Sequence, residues 1–347
     1  MGLDVKEKNL LKFLGKHILP PCIVIPYVYK TYFAGKPLEI VGFLYICYLL
    51  YKMVVYPLYF KLKITTWGRV NIRSYGKYAV VTGGTSGIGE AFVHTFGRKG
   101  LNVIVVSRSQ DKLNRVKEEF EQKYEGLKCE VLAYDFNQTD KKVLSAFQGE
   151  FKSLVERVGG IGVLVNNVGM SNDDPQYLHL IDQGLIDSML NVNNGGTMMM
   201  SRLCLPFMMK QRKGAVICVS SASCTHPTPL LSCYSATKGF GNQLTRSMFY
   251  EYKEFGIDCI SITPYYFVSN MFKRRRETRM APFPERIIDA TLPLLGHVGE
   301  ANPYIGHWVM GQIGLNYWDT GNGLLGIMKR NKARAEAKAA MKAGKKE

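Results

Sequence analysis

The stretch Val80–Phe92, VVTGGTSGIGEAF, joins a short apolar run to a helical pattern through spaced glycines. Gly83 permits a tight turn, Gly87 lets backbone N–H groups approach an anion, and Gly89 lets a helix pack closely on a strand. The N-terminus of that helix adds partial positive charge. The stretch therefore predicts a strand–loop–helix unit that binds the pyrophosphate of a dinucleotide. The other loop residues predicted to contact this cofactor are Thr85, Ser86 and Ile88.

Short apolar runs rich in Val and Ile alternate with amphipathic stretches from about residue 75 onward. The runs are Lys77–Gly83, Leu101–Ser109, Cys129–Phe136, Ile161–Asn167, Ala215–Ser221 and Asp258–Pro264. Because these runs are continuously apolar, they indicate strands that are covered on both faces. Repeated strand–helix units of this kind predict an α/β protein with a Rossmann-type doubly wound parallel sheet, here over residues 74–310.

The end of the second predicted strand, VSRSQDK, indicates which dinucleotide binds. A cofactor with a free ribose 2′-OH usually meets Asp or Glu about 20 residues after the glycines. Ser107 and Arg108 stand there instead. A guanidinium pairs with a 2′-phosphate through charge-assisted hydrogen bonds, so the sequence favours NADPH/NADP. The alternative is a solvated arginine at a strand end.

Two further stretches are predicted to meet the adenosine end of this cofactor. Asp135 closes the third predicted strand, where its carboxylate can bond an adenine edge. Asn166, Val168 and Gly169, in the motif NNVG after the fourth strand, are predicted to line the same side of the crevice.

A tyrosine and a lysine supply a candidate proton-transfer pair. Tyr234 and Lys238 lie four residues apart at a predicted helix start, so both project from one face. An isolated phenol is a poor acid or base at neutral pH, and a neighbouring ammonium favours its ionised form. Ser221 ends the fifth predicted strand, where its hydroxyl can bond a substrate carbonyl. Asn193, in NVNNGGT, can hold a water that links the lysine to solvent.

The segment that contains this pair also holds potential metal ligands. Cys218, Cys224, His226 and Cys233 fall within about 16 residues of one another, but they match no recognised zinc spacing. We therefore predict that the site binds no metal.

Five motifs, TGGTSGIG, NNVG, NVNNGGT, SSAS and YSATK, resemble in this order the short-chain dehydrogenase/reductase family over about residues 75–275. The resemblance implies that Asn193, Ser221, Tyr234 and Lys238 form the catalytic set. It also implies that Pro264 and Ser269, after the sixth strand, bracket the nicotinamide carboxamide.

The motifs NNVGMS, PxPLLxxYSATK and PYYFVSNMF narrow the resemblance to the 17β-hydroxysteroid dehydrogenase type 3/type 12 group. That group implies NADPH-dependent reduction of very-long-chain 3-oxoacyl-CoA to 3-hydroxyacyl-CoA in microsomal fatty-acid elongation. The alternatives are a 17β-hydroxysteroid (ketosteroid) dehydrogenase and a catalytically silent membrane scaffold. Cys224 stands where the family prefers glycine. The implied partners are a long-chain acyl-CoA substrate, membrane lipid, other elongation enzymes and a second copy of the chain.

Positive charge is concentrated in two places. The formal net charge is +17, and the basic clusters lie at Lys273–Arg279 and at residues 329–347. Such clusters are most often solvated faces, but they also attract a phospholipid surface or the phosphates of a substrate. Nucleic acid is not an expected partner, because no recognised binding module accompanies the charge.

The N-terminal region predicts a membrane anchor. Leu38–Phe60 is apolar apart from Glu39 and Lys52, and it is long enough for a bilayer core of about 30 Å. An earlier segment, Ile18–Ala34, is interrupted by prolines and suits a kinked or in-plane helix. The alternative is an amphipathic segment packed on the soluble domain. We predict an anchor and linker over residues 1–73, and an apolar segment with a basic tail over residues 311–347.

The cysteines predict the compartment of the catalytic domain. The chain has 8 Cys without a CxxC pair or a disulfide-framework spacing, which indicates reduced thiols facing the cytosol. The family resemblance implies the endoplasmic reticulum membrane as the location.

Overall fold

The computed structural model describes residues 37–56, 59, 70–268, 276–317 and 320–343. The chain divides into two units, residues 1–68 and residues 69–347. In the first unit, helix α1 spans Pro37–Leu50 and continues into a π-helical turn over Tyr51–Val55. Within the described ranges, no helix combines the length and the apolarity needed to cross a membrane. The predicted segment Ile18–Ala34 and the C-terminal end of the predicted segment Leu38–Phe60 lie largely outside these ranges.

The second unit is built on a parallel sheet. Its strands are β1 (Tyr78–Thr82), β2 (Asn102–Ser107), β3 (Cys129–Ala133), β4 (Val163–Asn166), β5 (Gly214–Val219), β6 (Ile257–Ile262) and β7 (Glu300–Ala301). The 7 strands are ordered β3-β2-β1-β4-β5-β6-β7, and every neighbouring pair is parallel. The six predicted strands and the Rossmann-type sheet are therefore confirmed. β7 is an additional edge strand that is too short to leave an apolar run in the sequence.

Helices cover both faces of this sheet. The helices described in this unit are α2 (Gly87–Arg98), α3 (Gln110–Lys123), α4 (Lys141–Arg157), α5 (Gln183–Met189), α6 (Gly196–Gln211), α7 (Ser232–Glu251), α8 (Pro284–Thr291), α9 (Ile305–Tyr317) and α10 (Thr320–Ala343). A π-helical turn over Leu190–Gly195 joins α5 to α6. Each amphipathic helix turns its apolar stripe inward, as Leu113, Val116 and Phe120 of α3 show.

Two apolar cores lie on opposite faces of the sheet. Because successive side chains of a strand point to opposite faces, Ala79 and Val81 of β1 enter one core and Val80 enters the other. All five residues of β1 are buried. Because β1 is packed on both faces, it supports the loop that follows it rigidly.

The strand order reverses at β1. The chain crosses from β1 to β2 on one side and later returns to β4 on the other side. In open α/β sheets, ligands bind outside the carboxyl ends of the strands at such a switch point. The fold therefore places a crevice where the glycine-rich loop leaves β1.

Candidate active site

The loop after β1 exposes its backbone to the crevice. Gly83 and Gly87 have φ angles of +65° and +58°, in the left-handed region that favours glycine. A Cβ added at Gly87 would meet nothing within 4 Å, so the space above it is open. A Cβ added at Gly89 would overlap the carbonyl oxygen of Gly83. The loop is thus a cradle that side chains would fill, as the binding of a pyrophosphate against the backbone requires.

The N-terminus of α2 is open toward the same crevice. Ser86 caps α2 with extended backbone, and its hydroxyl makes no capping hydrogen bond within the described part of the chain. The first N–H groups of a helix lack partners inside the helix, so here they can bind an anion. These features fit a dinucleotide phosphate.

A cavity of about 340 Å³ lies over this loop. Ten predicted cofactor residues line it, namely Gly83, Thr85, Ser86, Gly87, Ile88, Ser107, Arg108, Asp135, Val168 and Gly169. Eight further residues complete the wall, namely Ser109, Lys112, Tyr134, Phe136, Asn167, Met170, Val192 and Phe267. The cavity thus collects side chains from the carboxyl ends of β1 to β4 and from Phe267 after β6.

The remaining predicted cofactor residues lie outside this lining. Asn166 is buried, and its Nδ2 donates to Ser201 Oγ at 2.9 Å. Asn167 takes its place in the cavity wall, with Nδ2 donating to the carbonyl oxygen of Thr82 at 2.9 Å. The carbonyl oxygen of Pro264 accepts from Ala222 N at 3.0 Å. Ser269 falls outside the described residues.

One end of the cavity is polar and basic. Ser107 and Thr85 share a hydrogen bond of 3.1 Å between their hydroxyls. Arg108 and Lys112 are both exposed, and neither is paired with a carboxylate in the described ranges. Arg108 lies in the short connection after β2, and Lys112 lies in the first turn of α3, which begins at Gln110. Two unpaired cations at one end can bind a phosphate.

The loop after β5 carries Ser221. Ser221 is half-buried, and its Oγ accepts from Ser223 N at 3.2 Å. Ser235 Oγ of α7 donates to the carbonyl oxygen of Ser223 at 2.7 Å. The loop is thereby fastened to the first turn of α7, where Tyr234 lies.

Tyr234 and Lys238 are half-buried and one turn apart on α7. Lys238 Nζ lies 5.9 Å from the centroid of the Tyr234 ring and donates to the carbonyl oxygen of Val219 at 2.9 Å. Since Val219 ends β5, the ammonium reaches the strand that precedes Ser221. A Cβ added at Gly169 would lie 3.1 Å from Lys238 Nζ, so the lysine adjoins the cavity wall.

Asn193 lies within the π-helical turn and is buried. Its Oδ1 accepts from Met170 N at 2.8 Å, and its Nδ2 donates to the carbonyl oxygen of Met170 at 2.9 Å. The same Nδ2 donates to Thr237 Oγ1 at 2.8 Å. Asn193 thus connects the loop after β4, which lines the cavity, to helix α7.

The thiols near this set do not converge on one point. Burial raises the pKa of Cys218, Cys224 and Cys233, and Cys224 Sγ accepts from Ser220 Oγ at 3.4 Å. Burial also lowers the pKa of His226, whose ring lies 5.7 Å from that of Tyr265. Within the described residues, the group with metal-ligand spacing lies elsewhere, at Glu90, His94 and Glu119.

Comparison with known proteins gives a consistent picture. A family model described as short chain dehydrogenase matches residues 77–280. Very-long-chain 3-oxoacyl-CoA reductase-B of Danio rerio is 38% identical over 244 residues, which cover 69% of this chain and 75% of that protein. Hydroxysteroid dehydrogenase-like protein 1 of Gallus gallus is 37% identical over 212 residues, 61% of this chain and 62% of the relative.

A solved structure shares the fold. The 3-oxoacyl (acyl-carrier-protein) reductase of Agrobacterium tumefaciens C58, determined with NADP bound, superimposes with a TM-score of 0.55 at 21% identity. The match covers 65% of this chain and 91% of that structure. The family model covers more than half of the chain. The chain belongs to the short-chain dehydrogenase family and is an NAD(P)-dependent oxidoreductase acting on CH–OH or C=O groups.

Proposed function

We propose that the protein reduces very-long-chain 3-oxoacyl-CoA to 3-hydroxyacyl-CoA with NADPH, as one step of microsomal fatty-acid elongation. The observation that carries this proposal is the 38% identity, over 69% of the chain, to a zebrafish protein named very-long-chain 3-oxoacyl-CoA reductase. A silent scaffold is disfavoured, because Asn193, Ser221, Tyr234 and Lys238 are all present in the chain. Lys238 and Asn193 also lie beside Gly169, which lines the cavity.

The preference for NADPH over NADH rests on Arg108 and Lys112. Both cations line the cavity beside Ser107 and Ser109. A 2′-phosphate at this position would receive charge-assisted hydrogen bonds, whereas a ribose diol offers a cation nothing comparable. The residues of the glycine loop would hold the pyrophosphate.

The four polar side chains divide the chemistry at the substrate carbonyl. When bound, NADPH supplies the hydride that reduces the 3-keto carbon. The Tyr234 hydroxyl donates its proton to the carbonyl oxygen, and the Ser221 hydroxyl orients that oxygen through a hydrogen bond. The Lys238 ammonium, 5.9 Å from the tyrosine ring centroid, stabilises the phenolate that remains. General acid catalysis of this kind contributes about 10² to 10⁴ in rate.

The proposed location is the cytosolic face of the endoplasmic reticulum membrane, with the region 1–73 as the anchor. Helix α10 supports a second contact with lipid, because Lys329, Arg330 and Arg334 are exposed on it beside Ile327. Such basic residues near an anionic leaflet contribute about 1 kcal/mol each. The proposed partners are other elongation enzymes and a second copy of the chain.

The deciding experiment measures NADPH oxidation by the detergent-solubilised full chain over a ladder of 3-oxoacyl-CoA lengths, with a 17-ketosteroid in parallel. We expect turnover that rises with acyl length and exceeds turnover of the steroid. Tyr234→Phe is the matched control, since it removes only the hydroxyl, and it should abolish turnover while NADPH still binds. Steroid turnover far above acyl turnover would replace the proposed substrate with the one suggested by the hydroxysteroid dehydrogenase-like relative.

A further inference from the structure

The guanidinium of Arg115, which does not line the cavity, bonds the glycine-rich loop after β1. Arg115 of α3 donates through Nη2 to the carbonyl oxygen of Thr85 at 3.1 Å. Through Nη1 it donates to Glu90 Oε1 at 2.9 Å and to both carboxylate oxygens of Glu119 at 3.1 Å. One side chain therefore joins three places: the loop after β1, the first turn of α2 and the middle of α3.

The cluster around this arginine looks at first like a metal site. The potential ligand atoms of Glu90, His94 and Glu119 all lie within 4.8 Å of one another. The positive charge they require is already present, because Arg115 Nη1 bonds both carboxylates. The hydrogen bond to Glu90 raises the pKa of Arg115 above its usual value. The ring of His94 faces the Tyr124 hydroxyl, 3.4 Å from Nδ1. The cluster is thus an ion-pair network completed by the protein's own cation.

The contact with Thr85 reaches the cavity directly. Thr85 lines the cavity, and its hydroxyl bonds that of Ser107 at the basic end. Its carbonyl oxygen is the atom that Arg115 holds. Because a peptide unit is planar, holding this carbonyl oxygen also fixes the N–H of Ser86, and Ser86 lines the cavity. A preorganised loop loses less conformational freedom when a ligand binds.

The ion pair between Arg115 and Glu90 changes the charge at the N-terminus of α2, beside the phosphate site. Glu90 lies in the first turn of α2, where the partial positive charge of the helix N-terminus favours an anion. An unpaired carboxylate at this position would repel a dinucleotide phosphate. Arg115 cancels that charge, so the helix start remains attractive to the phosphate.

We propose that Arg115 is a positioning residue for the dinucleotide, which acts by holding the Thr85 carbonyl and by neutralising Glu90. The inference rests on the nicotinamide cofactor of the family and is independent of the acyl substrate. It assigns to α3 two roles in one site, since Lys112 of the same helix lines the basic end of the cavity.

The test measures the Kd of NADPH by fluorescence titration of the full chain without substrate. Arg115→Gln should raise this Kd about five- to tenfold, from the loss of the backbone hydrogen bond to Thr85 and of the ion pair that neutralises Glu90. Arg157→Gln is the matched control, because Arg157 also forms an exposed ion pair, 3.5 Å from Glu130, on a different helix. Arg115→Lys keeps the positive charge but loses the two-pronged guanidinium. Its Kd for NADPH should therefore lie between those of the wild type and of Arg115→Gln.

A double variant separates the two contacts. The double variant combines Arg115→Gln with Glu90→Gln. If the main role of Arg115 is to neutralise Glu90, the double variant will bind NADPH as the wild type does. If its main role is the contact with Thr85, the double variant will bind NADPH as weakly as Arg115→Gln alone. The proposal is overturned if Arg115→Gln and Arg115→Lys both bind NADPH within twofold of wild type, or if Arg157→Gln weakens binding equally. Because no acyl-CoA is present, a failure here leaves the proposed reaction standing. Normal NADPH binding without 3-oxoacyl-CoA reduction would instead contradict the proposed function.

Discussion

Asn193 Nδ2 donates to Thr237 Oγ1 at 2.8 Å, and this bond joins the π-helical turn before α6 to the helix that holds the tyrosine and the lysine. Thr237 Oγ1 in turn donates to the carbonyl oxygen of Tyr234 at 2.8 Å. Both the asparagine and the threonine are buried. The placement of the Tyr234 backbone therefore depends on a polar link that crosses between two helices.

Thr237→Val removes this link while it keeps the shape of the side chain. The buried Asn193 N–H then loses a partner, so we expect a loss of about 1–3 kcal/mol in the free energy of unfolding. We also expect kcat to fall while the KM for NADPH stays unchanged. Thr245→Val is the control on the same helix, because Thr245 is equally buried and, among the described residues, its Oγ1 bonds within α7 and toward Cys218 rather than to Asn193. Equal kcat in the two variants would contradict this role of Thr237.

The two cations at the basic end of the cavity predict the cofactor preference. Arg108→Gln and Lys112→Gln should each raise the KM for NADPH about tenfold, since a hydrogen bond between charged groups contributes about 1.5–3 kcal/mol. The KM for NADH should change little in both variants. Steady-state kinetics with each cofactor measures this, with Lys99→Gln as an exposed control outside the cavity wall. If the KM values for NADPH and NADH rose equally in these variants, the two cations would not be binding the 2′-phosphate.

The close approach at Gly89 predicts a large effect of one methyl group. In Gly89→Ala the new Cβ would overlap the carbonyl oxygen of Gly83, so the loop after β1 must shift. We expect a loss of about 1–3 kcal/mol in the free energy of unfolding and weaker NADPH binding. Gly149→Ala is the control, because Gly149 is exposed within α4 and an added Cβ would meet nothing within 4 Å. That variant should gain about 0.5–1 kcal/mol. Thermal denaturation of both variants measures these changes. Similar shifts in Tm for Gly89→Ala and Gly149→Ala would contradict the close approach at Gly89.

The parts of the site that the sequence predicted are those whose chemistry is local. Gly83 and Gly87 could be placed because only glycine readily adopts their positive φ angles in a loop between strand and helix. Tyr234 and Lys238 could be placed because a spacing of four residues puts them on one helical face. In both cases a few consecutive residues hold all the necessary information.

The parts that the sequence did not predict depend on register or on distant contacts. Asn166 and Asn167 are neighbours of the same type, and only the pleat of β4 decides which of them enters the cavity wall. The contact of Arg115 with Thr85 joins residues 30 positions apart, and no local period encodes it. Phe267 reaches the wall only because β6 ends at the same edge of the sheet as β1.

A buried histidine beside the site predicts a loss of stability in acid. His307 of α9 is buried, its Nδ1 accepts from Tyr265 N at 3.3 Å, and its Nε2 lies 2.9 Å from the carbonyl oxygen of Tyr266. An acceptor on one nitrogen and a donor on the other define the neutral ring. Burial lowers the pKa of His307, as it does that of His94 and His226. The histidine therefore fastens the segment before Phe267 in its uncharged form.

The sign of the pH dependence follows from this lowered pKa. Above the unfolded value of about 6.5, the ring is neutral in both states and its contribution to stability is complete. Below that value the unfolded chain binds the proton first, so stability is lost as the pH falls toward the folded pKa. His307→Asn keeps an acceptor near Tyr265 N but cannot titrate. At about pH 8, His307→Asn should lower the free energy of unfolding by about 1–2 kcal/mol, since the hydrogen bond donated to the Tyr266 carbonyl oxygen is lost. Between about pH 8 and pH 5.5 it should lose less stability than wild type. Denaturation at both pH values measures this, and an unchanged pH slope in the variant would show that His307 does not titrate in this range.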